Sequence, residues 1–444
     1  MQNALRLPFR LPLILGLLAT TVTLDACRGG SGTTGAAGSS PAGVAGTGAA
    51  GSTGAAGVGG EAGTGAAGTG SDVDGSVTDG AAGTGAPAFT KEALLGAFGT
   101  CAATRAHTFR ERAAALDVAV KALVAAPGAP AQTAAREAFN EAMEAWQPMD
   151  VLQYGPTASS LVTGGRDLRD NIYAWPLFGR CAVEEGMVAK TYEAATFGTQ
   201  LVNRRGLAAL DYLLFYEGVD SGCTAGTPEE AAWNALSVDE RAARKRAYAA
   251  AAAADVLKRA VALDEAWDPA KGNFVGTMRG AGPGNTTYAT AQAAIQTVGI
   301  ALFYLDATVK DAKLGEPLNA LCAKASCLET PFSAQAKANI RHNLEAARLL
   351  LEGCDGNYAG LGFDDLLASV GAPAVAATLH TQLVAAQAAL DAIEEPELGQ
   401  AMAQDKASVQ ALRDAVAAIT TTLKTTFVTV LGFELTSIPT DNDT

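Results

Sequence analysis

Ser237-Val238-Asp239-Glu240 opens an alanine-rich run that continues unbroken to Trp267. The serine hydroxyl is placed to accept a free amide of the first turn, and Glu240 to reach back to the serine N–H, which is a capping box. The run then holds no proline, no glycine and few β-branched residues, so it reads as one long helix. The same period recurs on both sides. Phe109, Ala113, Leu116, Val120 and Leu123 share one helical face, and Pro127-Gly128 stops that helix. Leu379, Leu383, Ala386, Leu390 and Ile393 form another apolar stripe. Breaks at Gly282-Pro283-Gly284 and Gly371-Ala372-Pro373 separate further helical stretches, and alternating Val/Ile runs are scarce. The expected fold is all-α, two packed helical bundles. Gly, Asp, Ser, Thr and Pro cluster over 218–236, which places the expected division between residues 89–235 and 236–444.

The chain before residue 89 is of another kind. Arg6 and Arg10 precede an apolar stretch from Leu11 to Leu24, too short for a comfortable membrane span. Leu24-Asp25-Ala26-Cys27 follows, with leucine and a small residue in lipobox register and Asp25 departing from the usual small uncharged residue. Residues 1–26 therefore read as a lipoprotein signal peptide and Cys27 as the acylated residue. Residues 28–87 are nearly all Gly, Ala, Thr and Ser, which cannot bury apolar surface, so 27–88 is expected to be a disordered stalk. About sixty such residues have a root-mean-square reach of roughly 40–45 Å. The expected partner is a membrane, through the anchor. Arg28, in place of an aspartate, points to the outer membrane.

The formal charge is −14 with a sequence pI near 4.8, which disfavours nucleic acid as a partner. Six cysteines remain after Cys27: Cys101, Cys181, Cys223, Cys322, Cys327 and Cys354. In an exported chain they should pair, with Cys322–Cys327 the expected local bridge. No spacing suits a zinc knuckle, and CxxC is absent.

Several segments, taken in order, resemble the imelysin family of bacterial envelope proteins, named for a proposed metallopeptidase. They are Trp146-Gln147-Pro148 with Tyr154-Gly155-Pro156, Leu168-Arg169-Asp170-Asn171-Ile172 with Trp175-Pro176, and the run Arg205 to Phe215. Lys313 to Leu318, Glu329-Thr330-Pro331-Phe332-Ser333, Asn343-Leu344-Glu345 and the closing Asp441-Asn442-Asp443 complete the pattern over about residues 90–444. The resemblance implies two helical bundles, a link to iron uptake and a Gly-x-His-x-x-Glu functional motif. Here that motif aligns with Gly206, Ala208 and Asp211, so the histidine is lost and the glutamate shortened. Alanine offers nothing to a metal, and a lone carboxylate is a poor transition-metal site.

The candidate binding residues are therefore Gly206, Ala208 and Asp211 with their expected neighbours Arg169, Trp146, Trp175 and Glu184. Arg169 suits either an anion clamp or a structural ion pair, and the tryptophans either a pocket or core. Glu184 or Glu185 beside Asp211 would make an all-oxygen site for a hard cation. His342 and Glu345 at i, i+3 are either half a metal site or a solvated helix face, and His107 and His380 read as structural or surface residues. The expected function is ligand binding in the envelope, the ligand being a small molecule or an envelope protein. No catalytic residue is assigned, and the cofactor is open, a divalent metal being compatible. The rival functions are a working metal-dependent peptidase with ligands outside the motif, and a non-catalytic interaction module on a stalk.

Overall fold

The computed structural model describes residues 89–319 and 327–434. The signal, Cys27, the stalk, Cys322 and Asp441-Asn442-Asp443 lie outside the described residues. Among the described residues the regular elements are all helical. They begin with α1 (Lys91–Ala125), α2 (Ala129–Val151), α3 (Leu168–Ile172), α4 (Arg180–Val188), α5 (Gly206–Phe215) and α6 (Pro228–Asn234). α7 (Val238–Trp267), α8 (Phe274–Arg279) and α9 (Ala291–Ala301) follow, then a π-helical stretch, Leu305–Gly315, which runs into α10 (Glu316–Leu318). The chain closes with α11 (Ala336–Glu352), α12 (Phe363–Ser369), α13 (Pro373–Asp391), α14 (Leu398–Gln404), α15 (Lys406–Thr422) and α16 (Val428–Leu431).

Local chemistry sets the boundaries. Thr90 caps α1 by accepting from Ala93 N at 3.0 Å. The helix ends two residues before Pro127, and α2 starts after Gly128 with a proline in its first turn. Ser237 and Glu240 form the capping box of α7 reciprocally, at 3.2 and 2.9 Å. The apolar stripes point inward as their spacing demands. Phe109, Ala113, Leu116 and Val120 are fully buried on α1, and Leu383, Ala386 and Leu390 on α13. Burying each such Leu or Phe contributes roughly 1.5–3 kcal/mol.

α1, α2, α5 and α7 pack as one bundle; α11, α13 and α15 with the π-helical stretch form the other, and α2 lies against α11. α7 follows the 235/236 division in sequence yet packs on α1 and α5, which precede it. The first bundle thus draws its helices from both sides of that division. Two disulfides tie distant segments, Cys101–Cys354 and Cys181–Cys223. Cys327 is also disulfide-bonded, while its expected partner Cys322 is outside the described residues. No helix among the described residues is long and apolar enough to cross a membrane.

Candidate functional site

α5 (Gly206–Phe215) is apolar but for Asp211 and the Tyr212 hydroxyl, and is buried from Gly206 to Leu214. It starts at Gly206, whose φ is +78° and whose added Cβ would lie 2.5 Å from the Ile172 carbonyl oxygen, so only glycine fits. Arg205, just before it, is buried and bonds Asp255 at 3.0 Å and the Asn171 carbonyl at 3.0 Å. Asp211 is the only charged residue of α5. A buried carboxylate needs donors, and Asp211 finds them on a loop far along the chain. Phe332 N and Ser333 N donate to its two oxygens at 3.2 and 2.9 Å. Burial pushes the Asp211 carboxyl up to about 6, the two amides acting against that rise and Glu329 adding to it.

The loop so held is Glu329-Thr330-Pro331-Phe332-Ser333-Ala334. Thr330 and Ala334 have φ of +46° and +59°, left-handed backbone that is costly for a β-branched threonine. Phe332 packs on Tyr212 and Tyr216, each at 5.4 Å between ring centres. The anchored loop does two things. Its Thr330, Pro331 and Ala334 line a cavity of about 510 Å³, closed on the other side by α14. Its Glu329 forms the link between that cavity and a buried charged centre.

In that centre Lys313 Nζ lies 2.9 Å from Glu329, 3.0 Å from Gln147 Oε1 and 2.6 Å from Asn343 Oδ1. Tyr173 OH donates to Glu329 at 2.8 Å, and Gln147 Nε2 at 3.1 Å. The rings of Tyr304 and Trp175 flank the ammonium at 5.5 and 6.0 Å. Tyr304 OH donates to Asp150 at 2.5 Å, and Arg169 Nε to the other oxygen of Asp150 at 2.8 Å. Burial, reinforced by Glu329, holds the Tyr173 phenol well above its ordinary range; burial and Asp150 do the same for Tyr304. The phenols are therefore donors, and each buried carboxylate is matched to a cation. The wide turn of the π-helical stretch carries Asp306, Lys310 and Lys313, all buried.

The candidate residues divide accordingly. Arg169 is spent on Asp150, on Asp170 at 2.9 Å and on the Trp175 carbonyl at 3.2 Å, so it is a structural ion pair and not a free anion clamp. Trp146 is core, its ring tilted against Phe109 with centres 4.9 Å apart. Trp175 walls the charged centre. Glu184 does not join Asp211. Its oxygens are taken by Arg180, Tyr212, Ser221 and Gly222, all at 2.7–2.8 Å, and Glu185 pairs with Arg204. The possible carboxylate cluster is not formed: the Cys181–Cys223 disulfide ties the Ser221-Gly222 turn to α4, where its donors join Arg180 and Tyr212 on Glu184. His107 and His380 pair with Asp264 and Glu352 at half-exposed positions. What the sequence did not expose was the centre around Lys313, Glu329, Gln147, Asp150, Tyr173, Tyr304 and Asn343. Four of these stood inside the family-like segments, which was the available signal.

The family's proposed metal does not fit these residues. Ala208 supplies no ligand, both Asp211 oxygens already accept amides, and no three His, Cys, Asp or Glu side chains converge for a metal among the described residues.

The imelysin model of peptidase family M75 matches residues 102–426. Iron-regulated protein A of Synechococcus elongatus is 24% identical over 312 residues, 70% of this chain and 78% of that protein. A crystal structure from Parabacteroides distasonis, named for an iron-regulated protein A precursor, superposes with a TM-score of 0.60 at 15% identity, covering 77% of this chain and 94% of that one. An imelysin-like protein from Psychrobacter arcticum gives a TM-score of 0.58 at 17% identity, over 78% and 96% of the two chains. These two share the all-helical fold. With its motif segments in order and the family model spanning most of its length, the chain belongs to the imelysin family.

Proposed function

We infer that this protein is a lipid-anchored ligand-binding component of the cell envelope, in which the imelysin motif has passed from metal coordination to shaping a binding cavity. The observation that carries this is the pair of amides, Phe332 N and Ser333 N, on Asp211. The motif's carboxylate holds a strained loop, and the loop walls the 510 Å³ cavity. That volume lies in the range of small-molecule sites. Glu397, Gln400 and Gln404 stand beside Leu398, Met402 and Pro331 in its lining, which suits a small ligand with an apolar body and hydrogen-bonding groups. The name of the Synechococcus relative links that protein to iron, and we assign this chain a role connected to iron supply. A lipid on Cys27 and the stalk would present the domain away from an outer membrane.

Zinc and iron titrations of the purified chain, with a parallel peptidase assay, test the reading. The expected result is neither peptide hydrolysis nor tight metal binding that depends on Asp211. Stoichiometric zinc binding abolished by Asp211→Ala would overturn it. For the anchor, Cys27→Ser should release the protein into the soluble envelope fraction.

A further inference from the structure

A second cavity, of about 360 Å³, lies between α1, α2, α11 and the 353–361 loop. Its walls carry charge of both signs, and most of that charge is already matched. Arg112 pairs with Glu141 at 2.7 Å, and His342 Nδ1 lies 3.1 Å from Glu345. Asp355 accepts the amides of Asn357 and Ala359 at 3.1 and 2.6 Å. Two groups are left over. Arg105 on α1 has an Nε shielded from solvent with no hydrogen-bond partner, and its guanidinium has no ion pair among the described residues. Glu144 on α2 is likewise without a partner among the described residues. An unmet guanidinium donor in a sheltered position is costly unless something occupies it.

The fourth wall is held under strain. Tyr358 has φ of +56°, an outlier for an aromatic residue. Its ring lies under the Arg348 guanidinium at 4.1 Å, and the Cys101–Cys354 disulfide ties the loop to α1. Burial, then Glu345, keeps its phenol above the ordinary range and so protonated as a donor. Backbone strain of this kind collects at ligand clamps. A metal is not what the set selects, since no three metal-type ligands converge among the described residues.

We propose that this cavity binds a small zwitterion, an α-amino acid whose carboxylate meets Arg105 and whose ammonium meets Glu144. The volume is at the small end of ligand sites, which suits a molecule of that size. Carboxylates outnumber guanidiniums in the lining, with Glu141, Glu144, Glu345 and Asp355 against Arg105 and Arg112. A basic side chain is therefore preferred to an acidic one.

Isothermal titration of the purified chain with L-lysine, L-glutamate, acetate and n-butylamine tests this. L-lysine should bind saturably, L-glutamate at least about tenfold more weakly, and the two half-ligands not measurably. Arg105→Met should cost at least about tenfold in L-lysine affinity, and Glu144→Gln a smaller but clear loss. Glu144 is exposed, so its variant keeps the test decisive if Arg105→Met fails to fold. Acetate binding as tight as L-lysine would reduce the site to a simple anion cradle and overturn the proposal. So would glutamate matching lysine, no amino acid binding at all, or full affinity in both variants.

Discussion

Asp211 and Glu329 are both almost wholly buried and belong to adjoining elements, yet the protein treats them in opposite ways. Glu329 faces a lysine, a phenol and an amide, and is neutralised by charge. Asp211 is met by hydrogen-bond donors of Phe332 and Ser333 and by no cation among the described residues, and burial raises its carboxyl to about 6. Charge pairing inside a protein is costly to break from one side, whereas a buried carboxylate with amide donors and no cation is pushed up by desolvation that the amides only partly offset. The difference separates scaffold from motif. The Lys313–Glu329 centre fastens the π-helical stretch and α11 to α2, while Asp211 only sets the position of one cavity wall.

The largest expected effect comes from breaking the first region on one side. Lys313→Met leaves Glu329 charged in a dry site, and about 3–5 kcal/mol of stability should be lost. Adding Glu329→Gln to that variant should recover a large part, because no unpaired ion then remains. Chemical denaturation of the wild type, both single variants and the double variant gives the coupling. Additive single effects would contradict the pairing.

The second region should answer to pH instead. In the unfolded chain an aspartate titrates near 3.9, while in the folded chain Asp211 does so at about 6. Between those values the folded state holds the extra proton, so the stability Asp211 supplies is complete below about 4 and falls away as pH rises through 6. The full span is at most about 3 kcal/mol. Asp364 is shifted the same way, so the measurement has to be a difference against Asp211→Asn. Wild type should lose ground to that variant from pH 4 to 6 and then run parallel to it. Parallel curves throughout would mean that Asp211 is not held as described. Asp211→Ala strands two amides and should cost about 1–3 kcal/mol at low pH, where Asp211 is protonated, the cost shrinking as pH rises through 6.

The two regions also differ in how far the sequence revealed them. Helix limits follow from local signals, so the cap at Ser237, the stop before Pro127 and the stripe on α13 could be read directly. The motif at Gly206, Ala208 and Asp211 was visible as a resemblance, but the partner of Asp211 is a pair of backbone amides, which no side-chain pattern announces. The charged centre was the hardest to see. Lys313 stood in the sequence as part of a family-like segment with no partner to name, and the distant Gln147, Glu329 and Asn343 that surround it come together only in the fold. Glu184 was a candidate neighbour of Asp211 only if their helices brought them together, and its oxygens are instead taken by Arg180, Tyr212, Ser221 and Gly222.

The smallest effect is expected from rebuilding the lost ligands. Ala208→His with Asp211→Glu restores the family's two motif side chains one helical turn apart on α5. Zinc affinity should rise, but only by about tenfold, or roughly 1.4 kcal/mol. A catalytic zinc site needs three protein ligands with space for water, and the variant would supply two. The amides of Phe332 and Ser333 compete with the metal for the carboxylate, and the Cys181–Cys223 turn keeps Glu184 engaged elsewhere. The histidine must also enter a position buried to 6% exposure, where added volume costs about 1–3 kcal/mol. Competition titration with a zinc-sensitive dye, on the double variant and the wild type, reads the change. A rise beyond a hundredfold would mean that further ligands already stand around Ala208, and the loop-anchoring role of Asp211 would then be incidental to a nearly intact metal site.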